Sequence, residues 1–160
     1  MEDSLGKAIV LREQGDLAEA QEMLVRLVAA HPDDALLNYH CAWSCDALGL
    51  EHEAIHYYVR ALHLGLPDEE MQGAILGLGS TYRALGMYED AQEMLQQGVE
   101  TFPDNQAMMV FYAMTLYNLR LYDKAMEHLL RVLAETSGDY RIQRYKRAIE
   151  LYAGKLDEKW

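Results

Sequence analysis

The sequence predicts an all-α solenoid of antiparallel helix pairs, and three recurring features indicate it. First, four turn segments each place an alanine five residues after a glycine or an arginine, and these alanines are spaced by 34, 37 and 34 residues. Second, a helical pattern of about fourteen residues precedes each turn. Third, a proline or a polar break closes each unit. A fixed period of this length is typical of repeat architectures, in which each helix pair packs on its neighbours. The alanines are Ala20, Ala54, Ala91 and Ala125.

Each turn has a physical explanation in its residue types. A glycine permits the backbone angles that a tight turn requires, and a small alanine lets two antiparallel helices approach closely. Arg120 stands where the other turns have glycine, so we expect the fourth turn to differ slightly. Asp or Asn after each break can cap the following helix. The breaks are His31–Asp34, Leu66–Asp68, Phe102–Asn105 and Thr136–Asp139.

The chain is predicted to form a single domain over residues 1–153. The 37-residue step adds three residues near 66–72, which predicts a longer loop or an extra turn between the second and third units. Helical spacing of apolar residues predicts a capping helix over 140–153, which an open solenoid end requires, and a tail over 154–160. The four predicted repeats are 1–34, 35–71, 72–105 and 106–139.

The chain resembles the tetratricopeptide-repeat (TPR) family over residues 2–139. The early tryptophan of the family pattern is missing, and the fourth unit lacks its glycine and proline. The resemblance implies a right-handed superhelix whose first helices line a concave groove, which usually holds an extended peptide or a partner's helix. The third unit matches best, through Leu78, Gly79, Tyr82, Gly86, Tyr88, Ala91 and Pro103.

First helices with two apolar stripes predict a partner-binding groove beside the core, since one stripe packs inward and the other can face a partner. The alternative is that these side chains only cover neighbouring helices. The stripes predicted as core are Leu37, Cys41, Cys45 and Leu48, and Met109, Tyr112, Leu116 and Leu119. The predicted groove residues are Leu36, Tyr39, Trp43, Asp46, Leu76, Arg83, Val110, Met114, Tyr117, Arg141 and Arg144, and the first unit offers Leu5, Ile9 and Arg12.

The charge distribution gives an alternative function. The net charge of −12 repels nucleic acid phosphates, so we expect no nucleic-acid partner. Residues 1–119 carry 5 basic and 19 acidic side chains, whereas residues 120–160 carry 9 basic and 7 acidic ones. A self-associating scaffold, with the acidic half of one copy against the basic closing helix of another, is therefore the alternative to binding a different protein.

Two short motifs resemble motifs that occur in enzymes. The segment 52–56 reads H-E-x-x-H, as in zinc hydrolases, and this remains a remote alternative. The repeat explains the same residues, because Ala54 is the small residue of the helix contact. Gly77 and Gly79 could suggest a phosphate-binding loop, which follows a strand. They lie within a helical pattern instead, so we interpret them as sites of close helix packing. We therefore expect no enzyme activity, no metal and no cofactor.

The remaining features indicate the compartment. Cys41 and Cys45 are expected to pack as small apolar side chains rather than form a bridge. The N-terminus has no basic start followed by an apolar run, and no segment is apolar enough to span a bilayer. We expect a cytoplasmic protein without membrane insertion.

Overall fold

A computed structural model describes residues 2–159, and these residues form α-helices joined by short turns, with no β-strand among them. The predicted all-α fold of antiparallel helix pairs is confirmed. The chain divides into two compact units, unit 1 (Met1–Leu85) and unit 2 (Gly86–Trp160).

In unit 1, consecutive helices pack against one another, and the first helices of successive pairs also touch. Thus α1 (Glu2–Gln14) contacts α3 (Ala35–Ala47), and α3 contacts α5 (Asp68–Ala84). A buried cluster of Ala8, Leu24 and Cys41 joins the first three helices, with Leu5 packed against it. The helices are α1 (Glu2–Gln14), α2 (Leu17–Ala30), α3 (Ala35–Ala47), α4 (Glu51–Leu64) and α5 (Asp68–Ala84).

In unit 2, α7 (Gln106–Asn118) packs between α6 (Tyr88–Thr101) and α8 (Tyr122–Thr136), and α10 (Lys146–Ala153) packs on α8. The segment predicted as one capping helix is interrupted at Tyr145. The predicted core stripe of α7 is wrong in part, because Met108 is fully buried whereas Met109 and Tyr112 are only partly buried. The helices are α6 (Tyr88–Thr101), α7 (Gln106–Asn118), α8 (Tyr122–Thr136), α9 (Tyr140–Arg144) and α10 (Lys146–Ala153).

The turn alanines are buried at the helix contacts, as predicted. The expectation that the fourth turn differs is wrong. Arg120 takes the left-handed backbone conformation, with φ 63°, where Gly49 has φ 72°. The backbone hydrogen bonds repeat as well, since the N–H of Leu121 donates to Leu116 O at 2.9 Å as the N–H of Leu50 donates to Cys45 O at 2.9 Å. Arg120 therefore adopts the same turn as the glycines, although a left-handed φ is unfavourable for arginine.

The longer spacing between the second and third units is explained by an extra turn of helix. Helix α5 has 17 residues, whereas α3 has 13. Its additional residues begin at Asp68, directly after Pro67, which is well suited to precede a helix. Of the two alternatives that the spacing left open, the extra turn is confirmed.

Side chains cap three helices at the predicted breaks. Asp34 accepts a hydrogen bond from the N–H of Leu37 at 3.0 Å. Asn105 accepts one from the N–H of Met108 at 2.9 Å. Each cap satisfies an N–H group that the first turn of a helix leaves without a partner, and so fixes where a first helix begins. Asp139 does the same for α9, accepting from the N–H of Arg141 at 2.7 Å.

Candidate partner-binding surfaces

Trp43 is an exposed indole that its neighbours hold in place. It lies on α3 and is 47% exposed. The guanidinium of Arg12, from α1, lies over the indole with its carbon 3.9 Å from the ring centroid. The ring of His40 stacks on the indole with an interplanar angle of 17° and a centroid distance of 6.4 Å. These contacts orient Trp43 and leave much of it open to solvent.

Arg12 supports the indole from a position that is itself almost covered. Its side chain is only 9% exposed. Its Nη1 donates to the carbonyl oxygen of His40 at 3.4 Å, and its Nη2 lies 3.5 Å from His40 Nδ1. Burial, and then the charge of Arg12, lower the pKa of His40 to about 4. The imidazole is therefore neutral at pH 7, and its Nδ1 can accept the guanidinium N–H.

Two predicted groove residues of α3 already contact other helices of unit 1. Tyr39 is only 9% exposed, and it closes on α5, where a Cβ on Gly73 would lie 3.0 Å from its Cζ. Asp46 accepts hydrogen bonds from the hydroxyl groups of Tyr58 at 2.8 Å and Thr81 at 2.9 Å. The stripe that contains both residues therefore joins α3 to α4 and α5 over much of its length.

The other predicted groove residues of unit 1 expose less of their side chains than Trp43 does. Leu36 on α3 and Leu76 on α5 are partly buried, as is Arg83 in the last turn of α5. Leu5, which the first unit offered, packs on the buried cluster of Ala8, Leu24 and Cys41. Of the predicted groove residues in this unit, Trp43 is the one that is largely exposed.

In unit 2, an exposed aromatic pair lies where α7 meets α8. Tyr117 is 62% exposed, and its ring meets the ring of Tyr122 edge-on, with centroids 5.0 Å apart. Met114, one turn earlier on α7, is also exposed, whereas Val110 is partly buried. Tyr122 is not among the predicted groove residues. Its position beside Tyr117 depends on how the turn at Arg120 folds back.

The two predicted arginines of the closing segment lie on α9 and are exposed. The guanidinium carbon of Arg141 is 5.1 Å from the ring centroid of Tyr140. On α10, Lys146 pairs with Glu135 of α8, with Nζ 2.7 Å from the carboxylate oxygen. This pair ties the closing segment to α8, while Arg141 and Arg144 remain exposed.

The residues that suggested metal or thiol chemistry lie on two neighbouring helices, the histidines on α4 and the cysteines on α3. His52 and His56 are exposed on α4, and within residues 2–159 no three metal-binding side chains come together. Cys41 and Cys45 are buried without a bridge, as predicted, and Gln21 Nε2 donates to Cys45 Sγ at 3.0 Å. In this part of the chain, no helix is both long and apolar enough to cross a membrane.

Several solved structures have a similar fold. A chain of the APC/C hetero-tetramer Cut9-Hcn1 aligns with a TM-score of 0.76 at 21% identity, over 91% of this chain and 29% of its own length. YrrB, described as a TPR protein with an unusual peptide-binding site, aligns with a TM-score of 0.73 at 19% identity, over 98% of this chain and 78% of its own. The MamA RS-1 ArsTM double mutant aligns with a TM-score of 0.75 at 13% identity, covering 96% and 85% respectively. At these identities the similarity concerns the fold alone.

Comparison with curated proteins gives no match. Two family models match the sequence itself: one described as tetratricopeptide repeat over residues 4–34, and one described as tetratrico peptide repeat over residues 35–156. The second covers well over half of the chain. Together with the helix pairs, the turn geometry and the buried alanines, it establishes that this chain belongs to the tetratricopeptide-repeat family.

Proposed function

We propose that this chain is a non-catalytic protein-interaction module that binds a peptide or helix of another protein through an exposed aromatic anchor. The proposed binding site is the Trp43 surface, formed by Arg12, Leu36, His40 and Trp43. Positions 36, 40 and 43 share one face of α3, and Arg12 reaches this face from the neighbouring first helix. The TPR fold supports a role in protein–protein interaction. The exposed aromatic side chain supports this surface as the place of that interaction.

The single observation that carries the proposal is an indole that is both exposed and immobilised. Folding alone gives no reason to stack a guanidinium and an imidazole on a ring that is still 47% exposed. Tryptophan and arginine are the side chains that most often dominate binding energy at interfaces. A ring already fixed in one orientation loses little conformational freedom on binding, which favours affinity.

The exposed pair on unit 2 is a second proposed contact site of the same chemistry. Met114, Tyr117 and Tyr122 form a small apolar and aromatic surface, in which methionine adapts to varied partners. Each of the two surfaces is tested by its own variants.

The remaining groove predictions are graded by exposure. Leu76 and Val110 are partly buried, as Leu36 is, and are proposed as minor contacts beside the exposed anchors. Tyr39 and Asp46 are proposed to support the site by holding α3 against α4 and α5, since their side chains already have partners within unit 1.

The test begins with peptides selected from a random displayed library on the purified chain. Trp43→Ala should weaken binding of the selected peptides by about thirtyfold or more, as expected for an anchor whose truncation costs about 2 kcal/mol. Its helical circular dichroism should be unchanged. Val59→Ala is the matched control, because Val59 is also about half exposed but lies on α4, a second helix.

A direct readout can come from the indole itself. The chain contains two tryptophans, so Trp160→Phe leaves Trp43 as the only indole. A bound peptide should shift its emission to the blue, because the ring becomes less exposed to water. If Trp43→Ala binds like the wild type and the emission does not move, the assignment to this surface is wrong. A loss confined to Tyr117→Ala would place binding on unit 2 instead.

A further inference from the structure

We propose that the chain also associates head to tail with a second copy of itself, by placing α10 of one copy against the N-terminal groove of another. The N-terminal groove is the depression between α1 and α2 that is lined by Val10, Leu11, Glu19, Glu22, Met23 and Leu27. Neither side of this contact involves the Trp43 surface, so this inference stands independently of the proposed function.

The N-terminal groove is a depression with apolar and charged side chains in its lining, and no described helix covers it. It lies between α1 and α2 and has two parts. The part with Met23 and Leu27 in its lining measures about 770 Å³, and the part with Val10 and Leu11 measures about 680 Å³. Val10, at its edge, is 48% exposed. In a stack of helix pairs, such a face is where the next pair packs. Glu19 and Glu22 add negative charge along the same depression, while Lys7 and Arg26 in its lining offset part of that charge and Arg26 pairs with Glu22.

The other partner of the contact is α10, which exposes apolar side chains beside Arg147 where a polar face is expected. A terminal helix of a repeat array needs a polar outer surface to remain soluble. Here Tyr145, just before α10, and Leu151 and Tyr152 within it are all about half exposed or more. The inner side of α10 packs on α8 and buries Ala153. The helix therefore exposes apolar side chains besides those that it packs on α8.

The charges at the two ends of the chain favour a second copy of this chain as the occupant of the N-terminal groove. Residues 2–30 contain six acidic and three basic side chains, whereas residues 140–159 contain six basic and three acidic ones. Among the described residues, Glu19, Arg144 and Arg147 form no salt bridge of their own. The arginines of one copy can thus meet Glu19 of the next, and compete with Arg26 for Glu22, while the apolar residues fill the groove. Such complementarity steers association and fixes its register.

This contact uses two different surfaces of the molecule, so it leaves one of each unoccupied at the ends of every assembly. A heterologous contact of this kind produces open chains, or rings where the rotation closes. It is distinguishable from a two-fold dimer, in which the same surface meets itself.

The test is a pair of charge reversals measured by sedimentation velocity and light scattering at low salt. The wild type should show an average mass that rises above the 18.3 kDa of one chain as its concentration increases. Glu19→Lys/Glu22→Lys makes the groove basic, and Arg144→Glu/Arg147→Glu makes the closing segment acidic. Each variant alone should lose association by more than about tenfold, since like charges then face each other.

An equimolar mixture of the two variants provides the decisive result. Each variant then finds an oppositely charged partner on the other, so the mixture should assemble again although neither component does. Glu93→Lys/Glu100→Lys, on α6, is the matched control with the same change in net charge, and it should associate like the wild type.

Three results would overturn the proposal. The wild type would be monomeric at every concentration, the groove variant would associate as well as the wild type, or the mixture would stay monomeric. Circular dichroism of each variant verifies that it is folded. Trp43→Ala should associate normally, which separates this contact from the proposed binding site.

Discussion

Replacing Gly77 with alanine probes how closely α4 and α5 approach each other at Tyr58. A Cβ at position 77 would lie 2.5 Å from Tyr58 Cζ and 2.9 Å from its Cε1, well inside van der Waals contact. The ring has little room to move aside, because Tyr58 is buried and its hydroxyl donates to Asp46 at 2.8 Å. The added methyl group must therefore displace either the ring or the helix.

The net effect follows from two opposing contributions. Overpacking of a well-packed contact costs about 1–3 kcal/mol. Alanine in place of glycine within a helix recovers about 0.5–1 kcal/mol. We therefore expect Gly77→Ala to lower the free energy of unfolding by about 1–2 kcal/mol. For a chain of this size, that corresponds to a fall in Tm of about 2–8 °C.

The assay is thermal and urea unfolding followed by circular dichroism at 222 nm, with Gly6→Ala as the matched control. Gly6 lies in α1, and a Cβ added there meets nothing within 4 Å. The same substitution should therefore raise stability by about 0.5–1 kcal/mol at position 6. If both variants are stabilised alike, the close approach of Tyr58 to α5 is refuted.

The remaining predictions concern the turns, the helix contacts and the buried histidine. Arg120→Gly should stabilise the chain by about 0.5–1 kcal/mol in urea unfolding, because φ 63° is unfavourable for arginine; an unchanged or lower midpoint would contradict this. Ala54→Leu should destabilise by about 1–3 kcal/mol in the same assay, since Ala54 is fully buried. The pKa of His40 is about 4 in the folded chain, below the ordinary value of 6.5, because of burial and then the charge of Arg12. Its contribution to stability is present above pH 6.5 and is lost as the pH falls toward 4. Between pH 7 and pH 4.5 the wild type should therefore lose more stability than His40→Gln, and equal losses would mean that His40 titrates normally.

The sequence by itself determined the features that depend on spacing along the chain. The repeat period placed the turns and their alanines, and the three added residues indicated a longer loop or an extra turn, of which α5 contains the extra turn. The buried cysteines followed from helical periodicity alone. Even the glycine pair at positions 77 and 79 indicated close packing in α5, which Tyr58 confirms at Gly77. These features follow from local geometry, since a helix pair of fixed length must turn and pack at fixed positions.

Only the tertiary structure decided which of the predicted groove residues are exposed and which are held by neighbouring helices. Tyr39, Trp43 and Asp46 occupy one apparent stripe of α3, yet Trp43 is largely exposed while Tyr39 and Asp46 are held by neighbouring helices. The stripe does not reveal that α5 presents Gly73 to Tyr39, or that Arg12 reaches from α1 to Trp43. In α7, apolar residues surround the helix, so periodicity did not single out Met108 as buried. The physical reason is the same in each case: burial is set by three helices meeting at once, whereas periodicity describes one helix at a time.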